Sequence, residues 1–256
     1  MKINYKVLYI ARDSEEDRIS FMETWLSSSK LQYKRIRGVD INDPLSEDKY
    51  NTKKRLDTYG YHMSNGEIGC FLAHINCWKE CLSLGHPVVV LENDVSPKNS
   101  EEFNKIIQDL LDNLDKFDIV RFTGIFQKHE KFYRTIKNLS FNFHLVQTYG
   151  DPLGTGGYMI TPEASKKLLM KCQTIYKPVD IFLSSIWNHR LLFRAIKPYP
   201  LKTHNHGCDD DTVFIPTTMS NRSKPKQSAA KRLKIEFHRA KDDIRKFLYK
   251  PYNFFR

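Results

Sequence analysis

Glu92 and Asp94 stand one residue apart at the end of the apolar run Val88-Val89-Val90-Leu91, with Asn93 between them. Two carboxylates at that spacing on a tight turn can hold a hard divalent cation through one group and orient a ribose or the metal shell through the other. A sugar-diphosphate leaving group would need such neutralisation, and a bound cation supplies it as a Lewis acid. Alone, the triplet reads more readily as a solvated turn after a strand, since exposed acidic residues are common. Other clusters are the ligand-rich His204-Asn205-His206-Gly207-Cys208, which runs on through three aspartates to Asp211, and the glycine-rich Gly154-Thr155-Gly156-Gly157. The first is also a plausible flexible acidic loop. The second lacks the lysine of a phosphate loop and the spacing of a dinucleotide fingerprint, so its glycines, Gly156 among them, are read as letting backbone approach a ligand.

The elements that must position these groups alternate between strand-like and helix-like periodicity, which predicts an α/β sheet rather than a bundle or sandwich. Val7 to Ile10 reads as a first strand, followed by a helix from about Asp13 and a strand from Tyr33 to Val39. Ile41 to Tyr61 is polar and is read as an insertion or loop. Ser64-Asn65-Gly66-Glu67 has the spacing of a capping box and opens a helix through Leu82. Glu67 is thereby explained as a cap, while Gly66 and Gly69 could admit a nucleotide. His74 on that helix reads as a packed, hydrogen-bonded histidine. Val88 to Leu91 shows no alternation, as in a central strand buried on both faces. A helix capped by Ser100, a strand at Asp118 to Phe122, a hairpin-like stretch to Tyr149, a strand at Tyr158 to Ile160, a helix capped by Thr161, a helix capped by Asp180 and a last strand near Leu192 to Ile196 complete the body.

The chain has 256 residues and a net charge of +11, but the charge is uneven. From Arg222 to Arg256 twelve basic residues face three acidic ones, so this tail carries +9 and the first 221 residues only +2. The expected organisation is a catalytic domain over residues 1–219 and, over 220–256, a linker with a basic amphipathic helix. Leu233, Phe237, Ala240, Ile244 and Phe247 form the apolar stripe of that helix. The stripe suits an anionic lipid surface, a nucleic acid or the body of the protein; the terminal aromatics Tyr249, Tyr252, Phe254 and Phe255 favour the membrane interface. A nucleic-acid-binding protein would account for the tail and leave Glu92 and Asp94 unexplained. Five cysteines without metal spacing, no leader-like N-terminus and no apolar span fit a cytoplasmic protein with reduced thiols.

Four ordered blocks carry a resemblance. Ser64 to His74, reading SNGEIGCFLAH and followed by Trp78, precedes the strand ending Leu91-Glu92-Asn93-Asp94-Val95; Gly154 to Thr161, reading GTGGYMIT, and Pro178-Val179-Asp180 come later. Together they resemble glycosyltransferase family 25, over roughly residues 5 to 200. The chain departs from the family pattern at Asn93, where the family has an acid, and at Ala11-Arg12, where it has an Asn-Leu pair; Arg18 falls where the family's arginine lies. The resemblance implies a GT-A-like (Rossmann-type) fold with a mixed, mostly parallel sheet and flanking helices, a UDP-sugar donor, Mn²⁺ (or Mg²⁺) and inversion at the anomeric carbon. The transferred sugar is expected to be galactose, with UDP-glucose and UDP-N-acetylglucosamine as alternative donors, and the acceptor a lipooligosaccharide at the inner face of a bacterial membrane. Inversion requires one general base. Asp180 is the first candidate and Asp151 the second. Asp94 and Glu92 become the metal ligands, joined by His204 or His206, and Arg18, Glu67, Glu92 and Gly156 the donor contacts. A chain that binds the nucleotide-sugar but has lost activity through Asn93 is a further alternative.

Overall fold

The computed structural model describes residues 4–39, 49–124, 132–149, 154–204 and 228–255. At its centre is an eight-stranded sheet. From one edge to the other the strands are β2 (Tyr33–Arg37), β1 (Lys6–Ala11), β3 (Val88–Glu92), β8 (Gly157–Ile160), β5 (Ile119–Arg121), β9 (Phe193–Lys197), β7 (His144–Thr148) and β6 (Tyr133–Asn138). β1 pairs in parallel with β2 and β3, and β5 with β9. β8, between β3 and β5, and β7, between β9 and β6, run the other way. The sheet is therefore mixed, with most strands pointing in one direction. A separate antiparallel pair, β4 (Val95–Pro97) with β10 (Leu201–Thr203), lies just past the end of β3.

The apolar run before Glu92 lacks alternation because both its faces are covered. Val88 and Val90 pack into a cluster with α3 (Asn65–Leu84), α5 (Pro162–Lys171) and α6 (Val179–Ser184). Val89 and Leu91 pack on the opposite face with α1 (Glu16–Ser28) and α4 (Ser100–Leu111). Burial on both sides is what a central strand of an α/β sheet requires. The capping box opening α3 is present, Ser64 Oγ accepting from the Glu67 amide at 3.2 Å and the Ser64 amide donating to Glu67 Oε2 at 2.8 Å. Thr161 caps α5, with Pro162 at its first position.

Several elements differ from expectation. Within the polar stretch read as a loop, α2 (Thr52–Tyr59) forms, capped by the Asn51 side chain and closed by left-handed Gly60. Its buried residue is not apolar but Arg55, whose guanidinium lies over the rings of Tyr59 and Tyr61, so hydrophobic periodicity could not reveal it. The cap of α4 is Asn99, which accepts from the amides of Glu101 and Glu102, and Ser100 is the first helical residue. Pro178 precedes α6 at its cap, and Asp180 sits inside the first turn. α7 (Ile186–His189) follows α6, and β10 follows β9 after Lys197. The tail forms the 27-residue α8 (Ala229–Phe255), and no helix among the described residues is long and apolar enough to cross a membrane.

Candidate active site

In an open α/β sheet, ligands gather beyond the carboxyl ends of the parallel strands, where loops and helix starts converge. Here that edge carries Glu92 at the end of β3, Arg121 at the end of β5 and the residues entering antiparallel β8. The first turns of α3 cover it. Glu67, Cys70, His74 and Trp78 follow one another at spacings of three and four and so share a face of that helix.

A hydrogen-bonded chain ties this face to the strand ends. The Trp78 indole donates to Tyr158 OH at 2.9 Å, Tyr158 OH meets His74 Nδ1 at 2.9 Å, and His74 Nε2 lies 3.4 Å from Glu92 Oε1. Because an indole only donates, every group finds a partner if the tyrosine proton goes to Nδ1 and the Nε2 proton points at Glu92. Thr155 Oγ1 donates to the same Glu92 oxygen, and the Glu92 amide donates to the Gly156 carbonyl at 2.9 Å. Burial acts to raise the Glu92 carboxyl, but the His74 and Thr155 hydrogen bonds and the Arg121 charge outweigh it, so the group is held below its ordinary value. Glu92 is ionised and fixed in direction.

Around Cys70 the predicted carboxylates converge. Burial, then the charges of Glu92, Asp180 and Asp94, push its thiol well up. Asp180 is raised by burial first, with Glu92 and Glu67 adding to the shift and Arg121 opposing it. Three separate stretches of sequence, at Glu67, at Glu92 and Asp94, and at Asp180, thus bring acids together at the sheet edge, with buried Arg121 among them. Asp94 and Glu92 offer oxygen donors, the chemistry that suits a hard cation such as Mn²⁺ or Mg²⁺. Cys70, His74 and Glu92 also bring one ligand atom each within 4.8 Å of one another. Both ring nitrogens of His74 already have partners and the thiol is held protonated, so this softer set suits a cation less well.

Asn93 is engaged by the start of α1. Its carbonyl oxygen accepts from Arg18 Nη1 at 2.9 Å, and its amide nitrogen donates to Glu15 Oε2 at 2.8 Å. Between a donor-only guanidinium and an acceptor-only carboxylate, an amide satisfies both sides, whereas an aspartate would face Glu15 with like charge. Arg18 is thereby fastened to the turn. His204 is buried beside it, its amide donating to the Asp94 carbonyl at 2.9 Å while Nε2 meets Ser96 Oγ at 2.9 Å. Gly156 is constrained by packing as well, because a Cβ there would lie 3.1 Å from Val95 Cγ1 and 3.3 Å from Thr123 Oγ1. Gly69, read as room for a nucleotide, makes room instead for the Val39 carbonyl, which a Cβ would meet at 2.3 Å. Asp151 and His206 lie outside the described residues.

The model of glycosyltransferase family 25 (LPS biosynthesis protein) matches residues 5–183, which includes β1, the Glu92-Asn93-Asp94 turn, the glycine-rich segment and Asp180. The chain belongs to glycosyltransferase family 25. Within that family, procollagen galactosyltransferase 1 of Danio rerio is 27% identical over 166 residues, 62% of this chain and 26% of its own length. Inactive glycosyltransferase 25 family member 3 of Mus musculus is 32% identical over 98 residues, 37% of this chain and 14% of its own. The chain thus spans about a quarter of the length of the first relative and less of the second. Among solved structures, mouse xyloside xylosyltransferase 1 in its apo form aligns with a TM-score of 0.36 and 11% identity, over 73% of this chain and 70% of that one. The blocks quoted from the family 25 pattern supply Glu67, Cys70 and His74 on α3, Glu92 and Asp94 at the end of β3, Thr155 and Tyr158 at the start of β8, and Asp180 on α6. Reading the sequence missed Arg121, although a cation inside Asp118-Ile119-Val120-Arg121-Phe122 was a visible anomaly, and it missed Glu15, for which no local signal exists.

Proposed function

We propose that this family 25 member is a GT-A-type glycosyltransferase that moves a hexosyl group, galactosyl first among the candidates, from a UDP-sugar to a hydroxyl of a lipooligosaccharide or related glycan, with inversion. The observation that carries the reading is the meeting of Glu92, Asp94, Glu67 and Asp180 with Arg121 at the carboxyl edge of the sheet. A bound Mn²⁺ or Mg²⁺, held by Asp94 and Glu92, would neutralise the charge that develops on the diphosphate as it leaves. Arg18 and Arg121 add fixed positive charge on the donor side, and Glu67 holds the start of α3 in place. Asp180 takes the proton of the acceptor hydroxyl; the freed oxygen attacks the anomeric carbon from the face opposite the diphosphate, and the bond to the diphosphate breaks. A carboxyl raised by burial is a stronger base than one in water, which suits the task. A lipid-linked acceptor places this reaction at a membrane surface.

The test is a Mn²⁺-dependent hydrolysis screen across UDP-galactose, UDP-glucose and UDP-N-acetylglucosamine, with Asp94→Ala as control. One donor is expected to be hydrolysed well above the others, and the variant to lose at least 100-fold, on the order of the loss when a principal electrostatic stabiliser is removed. Equal hydrolysis by the variant would remove the metal-site assignment. No hydrolysis of any donor by the wild-type chain, despite UDP binding, would favour an inactive nucleotide-sugar binder.

A further inference from the structure

The stripe on α8 faces solvent, although the helix is docked. Leu233, Phe237, Ile244, Phe247, Leu248 and Phe255 are between 60% and 77% exposed. At roughly 100° per residue they fall within an arc of roughly 100° on one side of the helix. Ile235, which is buried, and Tyr249, which packs against the core, fall on the opposite side together with Asp242. The Arg134 guanidinium donates to the Phe254 carbonyl at 3.1 Å and Tyr149 meets the Phe254 ring edge-on, so the far end of the helix is tied to the body as well. A helix that docks one face and leaves six large apolar side chains exposed on the other has a second surface to serve.

What meets that surface is indicated by the flank between the two faces. A groove of about 590 Å³ opens between α2 and α8, and its charged lining is Lys53, Lys54, Lys241 and Arg245 against Asp57 and Asp242. Lys241 and Arg245 lie on α8 between the docked side and the stripe. Over its whole length α8 has eight basic residues against three acidic ones. Lys177 nearby is lowered to about 8, by burial first; among the charges Asp242 opposes the shift most, while Lys54 and Arg245 add to it.

We infer that the α2–α8 groove seats the phosphate of an anionic lipid headgroup while the stripe beside it enters the bilayer. Apolar side chains next to exposed cations are the combination that an anionic interface accommodates and that neither water nor a neutral bilayer rewards. The inference rests on the reading of a lipid-linked acceptor, because the two together put the sheet edge to work on a substrate held in the same membrane.

The experiment is flotation of the full chain with vesicles of phosphatidylcholine alone or with 30% phosphatidylglycerol, at about 50 mM and 500 mM salt, with UDP-sugar hydrolysis measured in parallel. Wild type is expected to bind the anionic vesicles at low salt and to release at high salt. Lys241→Gln combined with Arg245→Gln should weaken binding about tenfold or more. Phe237→Ser combined with Phe247→Ser should abolish it, and both pairs should keep wild-type helicity and donor hydrolysis. Binding that is indifferent to charge and salt overturns the inference, as do unchanged binding by the groove pair, full competition by 10 mM inorganic phosphate, which would mark a free-phosphate site, and a dimer in light scattering that buries the stripe and ignores vesicles. Vesicle binding without donor hydrolysis leaves this inference standing and removes the proposed reaction instead.

Discussion

Asp180 is raised mainly because it is taken out of water, and only then because Glu92 and Glu67 share its neighbourhood. A carboxyl raised in the folded state contributes stability below the ordinary carboxylate range and loses that contribution as pH rises through the raised value. At neutral pH its charged form therefore works against folding. Asp180→Asn should lower turnover by about 10²- to 10⁴-fold, the range for losing a general base, with UDP affinity unchanged. The same variant should melt higher than wild type at pH 7, as expected where a function-bearing group is destabilising. The acid limb of the pH–rate profile, on which wild-type activity falls as Asp180 is protonated, should be absent from the residual activity of the variant. Unchanged turnover would pass the role to Asp151. Asn93 is the contrasting residue. Its amide joins Glu15 to Arg18, so the departure from the family's acidic triplet serves the attachment of α1 to the turn.

α3 shows how one helix combines a start signal with a working face. The capping box fixes its first turn, and the residues at spacings of three and four carry Glu67, Cys70 and His74 to the strand ends. Gly69, just past that turn, is a test of how closely α3 and the segment after β2 are packed. Replacing an ordinary helix-interior glycine with alanine gains up to about 1 kcal/mol. Here the added Cβ would meet the Val39 carbonyl at 2.3 Å, and a backbone oxygen cannot swing aside as a side chain can. Gly69→Ala should therefore destabilise the protein by about 1–3 kcal/mol, the usual range for overpacking, in urea denaturation. A neutral or stabilising result would mean that the Val39 backbone gives way easily. α2 is the opposite case, a helix whose buried group is an arginine lying over two tyrosines and donating to the Tyr61 and Tyr176 carbonyls. Its caps, Asn51 and Gly60, were present in the sequence, but they flank a segment with no apolar stripe to give them meaning.

Across the whole molecule, burial is concentrated where β3, β8 and β5 run between two helical layers, and it is thin where α8 meets the body through Ile235, Tyr249 and Phe254. Local opening follows the density of buried contacts. Amides of α8 should therefore exchange with solvent at least 100-fold faster than those of β3, and anionic vesicles should slow the exchange of α8 selectively. Equal protection of the two would show that α8 opens only with the global fold. The sequence by itself determined the central strand, the capped helix before it, the presence of the helix after it and the family, and it singled out the acids Glu67, Glu92, Asp94 and Asp180 as candidates, because each leaves a mark within a few residues: an apolar run, a cap spacing, a short motif. Tertiary structure decided which strand lies beside which, that Arg121, Thr155 and Tyr158 reach the same edge, that Asn93 serves Glu15 and Arg18, and that α8 turns its apolar stripe outward. Each of these depends on contacts between residues tens of positions or more apart, and the periodicity of a helix shows that it has an apolar face without showing what that face will meet.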